Sequence, residues 1–172
     1  MELHMHSHRF ARRRPDWCAA AFAGLAAGVI FLVLEVAVTV IQGGSLWAPV
    51  RMTAAIVMGH NVLTNEVGFE AGVMLAGLVV HFALSAILGL ILAAIMASFS
   101  FDSSFGVATL AGVIFGLVVY WFDFYGMTRV FPWFADARSA ASLGTHLVFG
   151  LVAADTYWRF KGKVDIGAAT AR

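Results

Sequence analysis

Four ionisable side chains stand in otherwise apolar stretches of this chain: Glu35, His81, Asp123 and His146. Ionisable residues inside a membrane are costly and normally face a partner or a cavity rather than lipid. Two carboxylates and two imidazoles at similar depth allow three chemistries. They can hydrogen-bond across helices as packing contacts, worth about 0.6 to 2 kcal/mol each. They can handle protons or ions, because histidine titrates near neutrality. They can also hold a cofactor: His81 and His146 on facing helices would ligate the iron of haem b or, with the acids, a transition metal. The absence of any Glu-x-x-His pair argues against a ferritin-like di-iron site. His4, His6 and His8 form a further candidate, since alternating imidazoles can chelate a divalent metal. The competing reading of that segment is a basic arm for anionic headgroups, with Arg9, Arg12, Arg13 and Arg14 beside the histidines.

The elements that must position these residues follow from composition. The 172 residues are 61% hydrophobic and 12% charged, with a mean hydropathy of +0.87. Soluble domains carry about 25% charge, so this chain belongs in a bilayer. Four apolar runs, Trp17 to Ile41, Ala71 to Phe99, Phe105 to Met127 and Ser139 to Trp158, each meet the requirement of about 20 residues for a span. The first follows an arginine cluster, but it is longer than the usual 7 to 15 residues or so of a signal-peptide core and is read as a retained span. Basic residues precede the first run and follow the last, while the two longer connections carry only Arg51, Arg129 and Arg138. The positive-inside rule then puts both termini in the cytoplasm. Val50 to Met58 is too short to cross and fits a helix on the outer surface. Counted from the outer ends, the two acids lie roughly 6 to 9 Å deep and the histidines roughly 9 to 15 Å deep, at about 1.5 Å per residue.

A repeat runs through these spans. Ala20, Gly24, Gly28 and Glu35 match Ala108, Gly112, Gly116 and Asp123 in type and spacing. His81, Ser85, Gly89 and Ala93 are answered by His146, Gly150 and Ala154. Residues four apart share a helix face, so Gly24, Gly28, Gly89, Gly112, Gly116 and Gly150 form stripes along which another backbone can come close. The expected fold is all-α, a polytopic four-transmembrane-helix bundle with a 2+2 internal duplication. Residues 1–16 form a cytoplasmic basic tail, 17–98 the first two-helix unit, 105–160 the second, and 161–172 a cytoplasmic tail. The tight Ser98 to Ser104 connection makes the second and third spans antiparallel neighbours.

No phosphate-binding loop, nucleophile elbow, H-E-x-x-H or C-x-x-C occurs, so no catalytic residue is assigned. Cys18 is single and reads as a small apolar residue. Nucleic-acid binding has no support, the charge lying on the tails. The Gly-rich first span, the mid-chain histidine with its small stripe, Phe131-Pro132, and Thr145-His146-Leu147-Val148-Phe149-Gly150 together resemble small bacterial inner-membrane proteins of the YagU type. That resemblance implies a bacterial inner membrane location and topology; the family is associated with acid resistance and has no established biochemical activity, and this chain has shorter outer loops. The expected function is non-enzymatic: an accessory subunit of a membrane complex or a small homo-oligomer, partnered in the lipid bilayer by another membrane protein or by itself. The alternative is a proton- or ion-handling or cofactor-binding protein built on Glu35, His81, Asp123 and His146.

Overall fold

Helix dominates because the apolar runs satisfy their backbone groups internally, as any segment in hydrocarbon must. A computed structural model describes residues 14–64 and 68–162; His4, His6 and His8 lie outside them. Among the described residues six α-helices follow in order: α1 (Trp17–Ile41), α2 (Ala48–Met58), α3 (Asn61–Thr64), α4 (Ala71–Phe99), α5 (Phe105–Trp121) and α6 (Ala140–Phe160). Asp16, Ser104 and Ser139 cap α1, α5 and α6, each accepting a backbone N–H from the first turn. Three helical stretches are long and apolar enough to cross a membrane: Trp17–Ile41, Ala71–Phe99 and Phe105–Arg129. The last corrects the expected Phe105 to Met127 run. Its α-helix ends at Trp121 and continues as a π-helical turn, Phe122–Gly126, and a 3-10 turn, Met127–Arg129. The fourth expected span is the helix α6, which carries Ser142, Thr145, His146, Asp155 and Arg159.

The long helices lie side by side in the order α4, α1, α6, α5. Glycine sets how close they come. A methyl group at Gly24 would overlap the Ser85 carbonyl oxygen, and one at Gly89 would stand 2.6 Å from the Ala20 carbonyl oxygen. On the other pair, a methyl at Gly112 would overlap the Gly150 oxygen and one at Gly116 the His146 oxygen. Each predicted stripe glycine therefore touches the backbone or inner side chains of the neighbouring helix. The core they enclose is largely alanine, with Leu92 and Met96 its largest fully buried side chains.

The expected surface helix is α2, which starts two residues earlier than Val50 because Pro49 supports its first turn. It docks on α4 where Gly77 admits the Val50 carbonyl. Its buried Arg51 donates to the carbonyls of Val62 and Gly68 and pairs with Glu70 at 3.0 Å, tying the first long connection together. Although Ser98 to Ser104 is a tight turn, α4 and α5 barely touch. An apolar groove of about 380 Å³ runs between them, lined by Ile91, Leu92, Ile95, Phe101, Leu110 and Ile114 among others.

Gly150→Ala should lower stability by about 1 to 3 kcal/mol through overpacking against Gly112. Gly144→Ala, on the same helix but with open space around it, should be neutral or stabilise by up to about 1 kcal/mol. Unfolding in increasing detergent denaturant measures both, and equal effects would contradict the packing described.

Candidate functional site: a polar cavity beneath the loops

Glu35 leaves α1 on the face that also carries Phe31, one turn earlier. Asp123 sits in the π-helical turn that follows α5, where the extra residue rotates the side chains relative to a continued α-helix. Such turns recur at functional sites. The widened turn leaves the Phe124 carbonyl to be served from outside, and Arg138 Nε donates to it at 2.6 Å while the guanidinium lies 4.5 Å over the Tyr125 ring. His146 lies one turn into α6 from Ser142.

Glu35, Asp123 and His146 converge on one cavity of about 100 Å³. Phe31 and Phe124 form its aromatic wall, Met52 and Thr53 of α2 cover it from one side, and Phe134 and Ala137 of the second long connection cover the other. His146 is only 5% exposed and has the rings of Phe31, Tyr120 and Phe124 within 4.8 to 5.7 Å of its own.

The hydrogen bonds fix where protons must sit. Nδ1 of His146 lies 2.6 Å from the Ser142 carbonyl, which can only accept, so Nδ1 carries hydrogen. Nε2 then faces Asp123 Oδ2 at 3.5 Å. A neutral ring with its proton on Nδ1 would present a lone pair to a carboxylate, which is repulsive. The contact is favourable when one further proton is shared between His146 and Asp123. Thr145 extends the chain of contacts: its single hydroxyl lies 2.5 Å from Glu35 Oε1 and 2.9 Å from the Ser142 carbonyl. A continuous path of polar atoms thus joins Glu35, Thr145, the Ser142 carbonyl, His146 and Asp123.

His81 stands apart. Its Nε2 donates to the Gly28 carbonyl at 2.9 Å, and it does not line the cavity. The Phe31 ring contacts both histidines, stacking at 6.0 Å on His81 and meeting His146 edge-on at 4.8 Å. Of the four ionisable side chains in the apolar runs, the structure thus brings Glu35, Asp123 and His146 to this cavity and places His81 outside it. Among the described residues, no cluster of three or more His, Cys, Asp or Glu side chains is arranged to hold a metal ion. Thr145, Phe31 and Arg138 escaped sequence reasoning as site residues. The signals were a hydroxyl beside a histidine and an aromatic ring four residues before an acid.

In comparisons with known proteins, no family model, no curated protein and no solved structure matches this chain.

Thr145→Val removes the hydroxyl that meets Glu35 and leaves a partly buried carboxyl group without it, which should cost about 1 to 3 kcal/mol. Thr145→Ser keeps the oxygen and should stay within about 1 kcal/mol of the parent. Detergent-unfolding curves for the two variants test the contact, which fails if they coincide.

Proposed function

We propose that this is a non-enzymatic integral membrane protein with four spans whose loop-side cavity takes up and releases protons. The observation that carries the reading is the His146–Asp123 contact, whose geometry calls for one proton beyond a neutral imidazole and a free carboxylate. The fourth span is α6. Its 21 residues reach about 31 Å, it packs along both α1 and α5, and Ser142, Thr145 and His146 are buried rather than lipid-facing. The matching glycine contacts of α1 with α4 and of α5 with α6 support a 2+2 duplication. Eight of the eleven Lys and Arg residues flank the terminal ends of the helices in sequence; by the positive-inside rule that face is cytoplasmic and the cavity opens outward. The YagU-type resemblance is the ground for proposing a bacterial inner membrane.

A second reading, lateral association as an accessory subunit or a homo-oligomer, is favoured by the apolar groove between α4 and α5. The intact mass of the assembly extracted in mild detergent tests it, and a lone monomer would remove it.

Proton uptake is read by infrared difference spectroscopy across a pH titration of the purified protein. Asp123→Asn should remove the Asp123 carboxyl difference band and His146→Gln the His146 imidazole band, and His81→Gln should retain both. A spectrum that does not depend on Asp123 or His146 overturns the proposal.

A further inference from the structure

The opposite end of the molecule carries a second polar cavity, of about 520 Å³, at the α1 N-terminus, the α6 C-terminus and the α4–α5 turn. Arg14, Asp16, Asp102, Tyr157 and Lys161 line it. Asp102 is 7% exposed; its Oδ2 lies 2.6 Å from the Lys161 ammonium, and its buried Oδ1 has no hydrogen-bond partner. Asp16 joins the two termini by accepting from Ala19 N at 3.0 Å and Gly162 N at 2.9 Å. None of these groups belongs to the loop-side site.

A third, smaller space of about 50 Å³ lies between them, bounded by Phe31, Leu88, Val119, Asp123, His146 and Phe149. It shares Phe31, Asp123 and His146 with the loop-side cavity, so that group stands between the two. From Leu88 to Ala97 on α4 is nine residues, and from Phe149 to Tyr157 on α6 eight, so about 12 to 14 Å separates the small space from the terminal cavity. Leu92 and Met96 occupy that interval, four and eight residues beyond Leu88 on one helix face, and are 1% and 0% exposed. The other core residues at this level include Ala20, Ala23, Ala27 and Ala153, so Leu92 and Met96 are the largest fully buried side chains there.

We infer that the two polar cavities are the mouths of one axial path for protons, closed in this conformation by Leu92 and Met96; the inference rests on the proton-binding reading of the loop-side cavity. Acids stand at both mouths, Glu35 and Asp123 at one, Asp16 and Asp102 at the other. Hydrophobic constrictions close such paths by excluding water. Met96 has the flexible, unbranched side chain that can swing aside.

The test is proton flux into proteoliposomes holding a pH-sensitive dye, driven by a potassium diffusion potential. Leu92→Ala/Met96→Ala should raise flux at least tenfold over the parent, and adding Asp123→Asn should return it to the parent level. Should the double variant misfold, Leu88→Cys in a Cys18→Ser background replaces it. That thiol should be shielded from a water-soluble thiol reagent added on the terminal side, and should become reactive when Met96→Gly is introduced. A folded, opened variant that neither conducts nor exposes Leu88→Cys overturns the path; if the infrared signal of Asp123 persists, the loop-side site survives that result. Conduction that ignores Asp123→Asn also overturns the path as one that starts from the loop-side cavity, while the infrared signal of Asp123 decides the site separately.

Discussion

Backbone laid against backbone at the glycine stripes is the contact on which the remaining structure depends. Lipid tails are as apolar as leucine, so helices in a bilayer gain little by hiding apolar side chains from it and cohere through close packing instead. Gly24 and Gly89, and Gly112, Gly116 and Gly150, bring the helices near enough that a single added methyl group has no room. The same registers set the height of the two histidines. Gly28 lies against His81 and Ser85 as Gly116 lies against His146, so a slip of one turn would carry the imidazoles away from the acids.

The two helix pairs start from the same pattern and diverge where the acids stand. After α5 the π-helical turn presents Asp123 to His146 within its own pair. The helix α1 runs on regularly to Ile41, and Glu35 reaches across to Thr145 of α6, leaving His81 with the Gly28 carbonyl. Both acids thus serve α6. The polar groups gather on one side of Phe31, and a ring that in sequence is one phenylalanine among fifteen separates a site from a packing histidine.

The helices were legible because apolar length is a sufficient signal for them: α1 and α4 begin and end where the runs Trp17 to Ile41 and Ala71 to Phe99 do. The stripes were legible because small residues at every fourth position have one use in lipid. The end of α5 was not, since Phe122, Asp123, Phe124 and Tyr125 suit an α-helix or an interfacial belt equally, and the turn is held by Arg138 from fourteen residues away. Depth counted along each helix placed His81 and His146 at similar levels, but depth says nothing about rotation around the axis. The buried salt bridge of Asp102 with Lys161 likewise joins residues 59 apart that no local pattern connects.

The loose seam between α4 and α5 bears on how the chain is made. Neighbouring helices joined by a short turn commonly insert as a hairpin, yet here the hairpin partners hardly meet, and each instead finds its close partner across a long connection: α4 with α1, α5 with α6. During synthesis from the N-terminus, α1 must therefore wait in the bilayer through the whole of α2 and α3 for α4. The helix α5, with its glycine stripe bare, has no proper partner until α6 has emerged. Assembly of this protein is a sequence of two delayed pairings, and the interval between the appearance of α5 and the arrival of α6 is when an unfinished chain is open to the wrong helix.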